Sequence, residues 1–382
     1  MQRSPEPDRE PLPGGLLEPR DQLVVVVLFG GRSSEHSVSC ATAGGILGAI
    51  DRERYRVIPV GITREGAFVL EQDDADRFAL SGSTLPSVSD NGTRVQWPTS
   101  SASRELTVTE GGVIRSLGDI DVVFPILHGR FGEDGTVQGM LELLGLPYVG
   151  DGVLASAVGM DKHFTKTVLQ ASGVTVAPWI TVTADRWQAD ASAIESRVAE
   201  AFTWPVFVKP ARAGSSVGVS RVASAGELAA AIRLALAEDV KVLVEAAVVG
   251  REIECGVLGG RLGGEPRVSV AGEIVTAPGE FYDFDSKYLD GEAATLVCPA
   301  DLTPSQLAEL QGIASTAFRA IDGTGLARVD FFLTTSGFVV NEINTSPGFT
   351  PVSMFPRCWL ESGLGYGALI DELIQLGLET AR

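Results

Sequence analysis

Cationic side chains are scarce: 30 Lys and Arg stand against 49 Asp and Glu, a formal net charge of -19 over 382 residues. Nucleic acid backbones and anionic membranes are bound through clustered Lys and Arg, so this balance argues against both partner classes. Any site for an anionic substrate must then be a local positive pocket in a negative field. Long apolar runs are missing too, and none approaches the ~20 residues that span a bilayer. Met1 to Arg20 is rich in Pro and charge and lacks the apolar stretch of a secretory signal. It reads as a disordered tail. The four cysteines, Cys40, Cys255, Cys298 and Cys358, have no metal-like spacing. Without an export signal they read as reduced thiols of a cytosolic protein. Three histidines, His36, His128 and His163, are too few and too dispersed for a His-based metal site.

What is abundant is apolar: 45% of residues are hydrophobic, enough for real cores. The length predicts two or three domains. Leu23 to Phe29 is a continuous apolar run ending in Gly30-Gly31, the pattern of a buried parallel strand entering a Gly turn. A helix is expected over Val38 to Ile50 and strands over Tyr55 to Ile62 and Ile120 to Leu127. Ala67 to Arg115 is polar and weakly patterned, an irregular insertion with room for short hairpins. A helix over Val137 to Leu144 and a short strand at Pro147-Tyr148-Val149 complete an open α/β sheet. The next unit has a helix over Asp161 to Ala171 and strands at Trp204 to Pro210, up to Val222, and at Lys241 to Glu245. Ser224 and Glu227 have capping-box spacing ahead of a helix through Ala237. Strands at Glu252–Leu258, Arg267–Ile274, Leu326–Leu333 and Phe338–Ile343 follow, with helices at Pro304–Ile321 and near the C-terminus.

Four segments carry candidate chemistry. Lys209 closes the strand Val206 to Pro210, and Ala211 to Gly218 is a loop of Gly and Ser. One cation and several free backbone N–H groups can cradle phosphate oxygens. An ordinary hairpin loop beside an exposed Lys would look the same, and the Gly-Lys-Ser/Thr ending of a Walker loop is absent. Arg328 and Asp330 lie two apart, as do Glu342 and Asn344, so each pair shares a strand face. A turn at Thr334 to Gly337 would set Asp330 opposite or diagonal to Glu342. Facing carboxylates repel unless something positive lies between them, and Mg²⁺ or Mn²⁺ would serve, with Asn344 adding an oxygen. A solvated acidic face is the alternative; Phe331-Phe332 and Val339-Val340 weigh against it. The Pro347-Gly348 turn follows directly; its N–H groups could stabilise an oxyanion, or it is simply a turn. Gly30-Gly31 precedes Glu35 near a helix start, without the third glycine of a dinucleotide fingerprint. Glu35 could bind an ammonium or merely favour the helix N-terminus.

Taken together these segments resemble the D-alanine-D-alanine ligase family of the ATP-grasp superfamily, from about Leu23 to the C-terminal helices. The matching stretches are Gly30 to Ser39 (GGRSSEHSVS), His128 to Gly139 (HGRFGEDGTVQG), Gly159 to Lys162 (GMDK), Val208 to Val219 (VKPARAGSSVGV), Phe281 to Tyr288 (FYDFDSKY) and Asn341 to Thr350 (NEINTSPGFT). The resemblance implies an α/β fold, an open-sheet N-terminal domain followed by a two-part ATP-grasp. The expected division is a tail over 1–20, an N-terminal domain over 21–150, a central subdomain over 151–248 and a C-terminal subdomain over 249–382, with a mobile lid at 276–299. It implies that Lys162 and Lys209 contact ATP phosphates with Ser215 and Ser216, that Glu245, Ala246 and Val248 form the adenine hinge, and that Glu252 binds the ribose. Asp330, Glu342 and Asn344 would hold two Mg²⁺ (or Mn²⁺) ions. Glu35 would take the ammonium of the first D-alanine, joined to Ser215 and Tyr288. Arg328 and the Gly348 N–H would form the oxyanion site. Lys287 and Ser353 would face the second substrate's carboxylate and the transferring phosphate.

The implied activity is ATP-dependent joining of two D-alanine molecules in the cytoplasm, supplying peptidoglycan precursors. No nucleic acid or membrane partner is expected, and a homodimer is left open. The rivals are a ligase making D-alanyl-D-lactate or D-alanyl-D-serine, a catalytically dead ATP-binding sensor, and a carboxylating ATP-grasp enzyme. The retained Lys209, Arg328, Asp330, Glu342 and Asn344 count against the sensor.

Overall fold

The computed structural model describes residues 22–79, 85–214, 216–276 and 294–380. Strand β1 (Leu23–Gly30) pairs in parallel with β2 (Tyr55–Ile62), to which β3 (Phe68–Leu70) adds antiparallel. The apolar run of β1 does not alternate because both faces are covered. Val25, Val27 and Phe29 pack with the helix His36–Ala49 and the returning C-terminal helix Tyr366–Thr380. Val24, Val26 and Leu28 pack with Leu106, Val108 and Leu141 on the other side.

Leu106 and Val108 revise the expected irregular insertion. β4 (Arg94–Gln96), β5 (Glu105–Glu110) and β6 (Val113–Asp119) form their own antiparallel sheet. The β5–β6 hairpin turns on Gly111 and Gly112, at φ +57° and +81°, which side-chain-bearing residues rarely adopt. β7 (Val122–Pro125) returns to β1, giving the first sheet the order β3-β2-β1-β7. The expected strand at Pro147 to Val149 shrinks to a single bridge between Tyr148 and Val123.

The second sheet, order β10-β9-β11-β8, contains β8 (Trp179–Thr183), β9 (Val206–Pro210), β10 (Ser220–Val222) and β11 (Lys241–Ala246). Helix Ala225–Glu238 packs on it through Leu228 and Ile232. Ser224 is its N-cap, but the expected capping box is altered. The Ser224 hydroxyl donates to Glu227 at 3.1 Å, and Glu227 accepts from the N–H of Ala223 rather than Ser224.

The third sheet, order β14-β13-β12-β15-β16, contains β12 (Arg251–Leu258), β13 (Arg267–Thr276), β14 (Ala294–Val297), β15 (Leu326–Thr334) and β16 (Gly337–Asn344). Helix Pro304–Ala320 opens with a complete Thr303–Gln306 capping box. It buries Leu310, Ala314 and Phe318 against Ile253, Val257 and Val329. The Asp151 carboxylate joins the chain after the first sheet to the turn before β15. One of its oxygens accepts from the N–H groups of Thr324 (2.7 Å) and Gly325 (2.8 Å).

Candidate active site

A cavity of about 370 Å³ opens between the second and third sheets. Its lining includes Lys162, Lys209, Ser216, Glu245, Ala246, Val248 and Glu252, and also Asp330, Glu342 and Asn344. Residues expected at phosphate, adenine, ribose and metal thus share one space. Ser215, Lys287 and Tyr288 lie outside the described residues, as does most of the expected lid.

The lysines arrive from two directions. Lys162 opens the helix Lys162–Ala171, whose start is fixed by Asp161 accepting from the N–H groups of His163 and Phe164. Its ammonium donates to the Ala213 carbonyl at 2.8 Å and lies 3.9 Å from a Glu342 oxygen. Lys166, one turn later on the same helix face, also lines the cavity. Lys209 faces in from β9. One buried carboxylate serves two ammoniums: Glu245 lies 2.8 Å from Lys209 and 3.3 Å from Lys166. Burial opposes charge on Lys209, but Glu245 more than offsets it and raises its pKa. For Lys166 burial wins and the pKa falls, although Glu245 pulls the other way. Glu245 is held below the usual carboxylate range against burial, by Lys209 and then Lys166. Its side chain is therefore turned to the lysines, while Ala246 and Val248 continue the cavity wall.

The acidic edge is the β15–β16 hairpin. Its turn runs from Thr334 to Gly337, and Asp330 pairs directly opposite Glu342. The guanidinium of Arg328 sits between Asp330 and Glu254. It donates to both Asp330 oxygens, at 2.7 and 2.8 Å, and lies 3.2 Å from Glu254. Asn344 donates to Asp330 at 3.0 Å. Burial pushes the Asp330 carboxyl up to about 7, Arg328 opposes, and Glu254 and Glu342 add to the rise. Three carboxylates around one guanidinium leave a surplus of negative charge. Among the described residues no three His, Cys, Asp or Glu side chains form a metal cage alone. Two carboxylates and an amide fit a hard dication that takes its remaining oxygens from phosphates and water.

At the other edge, Glu35 is the N-cap of His36–Ala49 and makes no side-chain cap bond. Its carboxylate reaches away, between two loops. A Cβ at Gly129 would stand 2.9 Å from one of its oxygens, and a Cβ at Gly214 3.0 Å. The missing side chains at Gly129 and Gly214 leave the room that the Glu35 carboxylate occupies. Gly348 and Ser353 are also neighbours: a Cβ at Gly348 would stand 3.3 Å from the Ser353 oxygen. Ser353 accepts from the Thr350 N–H at 3.2 Å.

Sequence reasoning passed over Lys166, Glu254 and the pair His128–Glu133. The signals were present. Lys166 follows Lys162 at helical spacing, and Glu254 follows Glu252 at strand spacing. His128 and Glu133, 3.3 Å apart, sit in the motif HGRFGEDG. Burial works against a charged His128, but Glu133 and then Glu35 carry its pKa upward.

Residues 24–151 match the family model described as the D-ala D-ala ligase N-terminus, and residues 168–375 match the D-ala D-ala ligase C-terminus. A D-alanine--D-alanine ligase of Arthrobacter sp. (strain FB24) is 54% identical over 358 residues, 93% of this chain and 94% of the relative. The Kineococcus radiotolerans protein of the same name is 51% identical over 363 residues, 93% of this chain and 96% of its own. The solved D-alanine-D-alanine ligase from Coxiella burnetii is similar with a TM-score of 0.79 and 35% identity, covering 95% of each chain. The VanG D-Ala:D-Ser ligase from Enterococcus faecalis has a TM-score of 0.80 and 34% identity, covering 93% of this chain and 99% of that one. With matched sequence along nearly its whole length and an ATP-grasp architecture around one charged cavity, this chain belongs to the D-alanine-D-alanine ligase family.

Proposed function

We propose that this chain joins two D-alanine molecules at the cost of ATP, through a D-alanyl phosphate. The observation that carries the reading is the meeting of Lys162, Lys209, Asp330, Glu342 and Asn344 around one cavity. A carboxylate is a poor electrophile. Phosphorylation gives it a leaving group, the second amine attacks, a tetrahedral oxyanion forms, and phosphate departs. The work of the protein is positioning and charge neutralisation.

Lys162, Lys209 and the loop with Ser215 and Ser216 hold the phosphates. Ala246 and Val248 face the base, Glu252 the ribose. Glu35, placed between the two glycine loops, takes the first ammonium. Arg328 and the Gly348 N–H receive the oxyanion, and Ser353, the neighbour of Gly348, serves the transferring phosphate. Asp330, Glu342 and Asn344 would hold two Mg²⁺ (or Mn²⁺) ions, which would neutralise phosphate charge when bound. The corresponding division is 21–150, 151–248 and 249–382. A cytoplasmic location agrees with such substrates, and no helix among the described residues is long and apolar enough to cross a membrane.

The acceptor is D-alanine. Relatives at about half identity over most of the chain carry that name, whereas the D-Ala:D-Ser neighbour is more distant. Phosphate release from ATP over a panel of D- and L-amino acids and hydroxy acids tests the reading. Strict dependence on D-alanine is expected. No release with any substrate of the panel would make the chain a sensor, and release that does not need D-alanine would make it a different enzyme. With D-alanine and D-lactate supplied equally, predominant D-alanyl-D-lactate across neutral and mildly alkaline pH would overturn the acceptor assignment.

A further inference from the structure

Two of the four thiols touch. The Cys298 and Cys358 sulfurs lie 3.7 Å apart. Cys298 follows β14 and is half-buried; Cys358 is buried on the helix Met354–Glu361. Cys40 and Cys255 are enclosed, and burial pushes both thiols up, Cys40 to about 12. Cys298 goes the other way: the Cys358 thiol lowers its pKa, burial opposes, and Arg357 assists. It is the more exposed and the more acidic thiol of the pair.

The two elements are already clamped together. Val297 of β14 pairs with Glu273 of β13, and the Ala300 N–H donates to Ala271 at 2.7 Å. Arg357 donates from the helix to the Leu296 carbonyl at 3.2 Å. Met354, one turn before Cys358, packs so closely on Gly272 that a Cβ there would collide with it. The helix begins at Ser353, the neighbour of Gly348.

We propose that Cys298 and Cys358 are a redox modification site, closed to a disulfide by peroxide and reopened by thiols, whose oxidised form slows turnover. The Cys298 thiolate attacks peroxide: an S–O bond forms, the O–O bond breaks, and the released hydroxide takes a proton to leave as water. The Cys358 sulfur then attacks the sulfenic sulfur. The S–S bond forms, the S–O bond breaks, and a second water leaves. Two thiols lose two electrons and two protons, and peroxide becomes two waters. Thiolate attack on the disulfide reverses the step. A disulfide sets its sulfurs ~2 Å apart, well inside the present contact. Closure draws β14 and the helix together, and a shift of ~1 Å at a reacting edge can cost a hundredfold in rate.

The turnover effect rests on the proposed ligase activity; the cross-link does not. The full chain is treated with hydrogen peroxide, remaining thiols are alkylated, and the digest is mapped without reduction. Phosphate release with ATP and D-alanine is followed in parallel. The expected result is a linked Cys298–Cys358 peptide pair, a fall in kcat of about tenfold or more, and recovery with dithiothreitol. Cys298→Ser should keep its turnover under peroxide and give no linked pair. Unlinked peptides after treatment would overturn the site. A linked pair with unchanged turnover, or equal loss in Cys298→Ser, would overturn its effect. Absent turnover before treatment would count against the ligase reading instead.

Discussion

Lys166, Glu245 and Lys209 put two positive charges and one negative charge into a nearly water-free corner, with Lys166 1% and Glu245 2% exposed. At 2.8 and 3.3 Å the carboxylate is close to both ammoniums, so its removal and the removal of one lysine are not equivalent. Lys166→Met keeps the apolar stem and leaves one ammonium on one carboxylate. It loses a 3.4 Å bond to the Ala177 carbonyl and gains relief from an ammonium that burial already disfavours. A net change of about 1 kcal/mol or less is expected. Glu245→Gln leaves two buried ammoniums facing a neutral amide, and breaking a buried pair in this way costs about 3–5 kcal/mol. Adding Lys166→Met to Glu245→Gln removes one stranded charge, so the double variant should be more stable than Glu245→Gln alone. The coupling should be about 1–3 kcal/mol. Thermal unfolding reads all three. At about 2–4 °C per kcal/mol, Lys166→Met should shift the midpoint by a few degrees at most, and Glu245→Gln by far more. In turnover, Lys166→Met should raise the KM for ATP several-fold with less change in kcat, since the Lys209–Glu245 pair proposed to face the phosphates survives. If Lys166→Met is as damaging as Glu245→Gln, or if the double variant is the least stable, the shared-carboxylate account is wrong.

Asp330→Asn and Glu342→Gln should each cost ~10²–10³ in turnover while the protein stays folded; near-normal rates at saturating Mg²⁺ would remove the metal assignment. Lys209→Ala should raise the KM for ATP and lower kcat together if the phosphates are both held and aligned there as proposed; an effect limited to the KM for D-alanine would contradict that role. Burial pushes the Asp151 carboxyl up to about 7, so between its ordinary range near 4 and 7 the folded chain keeps a proton that the unfolded chain releases. Stability from this group is full at low pH and declines as pH rises toward 7. Asp151→Asn keeps an acceptor for the Thr324 and Gly325 N–H groups and should remove that decline; midpoints that fall with pH as steeply as in the parent would refute it.

The acidic hairpin was legible in its turn and its strand faces, but not in its final register. Counted from the Thr334 to Gly337 turn alone, Asp330 would stand across from Asn341; a one-residue register shift between Phe331 and Asp330 sets it across from Glu342 instead. The Arg328 contact follows from the same period. Lys166 and Glu254 obeyed equally simple spacings, but a buried Lys or Glu has no signature of burial in sequence; the depth comes from sheets that meet only in the fold. The β4–β6 sheet was obscured by composition. Glu105 to Glu110 alternates apolar and polar residues and ends at Gly111-Gly112, a hairpin signal, yet its threonines counted as loop-like although Thr favours strands. Helix Val153–Met160 went unseen because Asp161, which ends it, also caps the next helix, and no turn residues separate the two.

The site also answers how a chain of net charge -19 can receive a triphosphate. Its overall field repels the ligand, so long-range attraction cannot be what concentrates it. The attraction has to be local, and each local cation is already held by an acid: Lys209 by Glu245, Arg328 by Asp330, and Lys162 near Glu342. On the proposed phosphate roles, phosphate entry would be an exchange of partners rather than the filling of a bare positive pocket. Two things follow from that arrangement. The cations are fixed in place before the ligand arrives, so little reorganisation is left for the chemical step. The acids displaced from them keep their charge inside the cavity, where two of them, Asp330 and Glu342, stand opposite each other on one hairpin. Binding a polyanion there makes a counter-charge between those two carboxylates more necessary, not less. The repulsion that the hairpin register builds in is thus what ties nucleotide binding to the dication proposed for Asp330, Glu342 and Asn344.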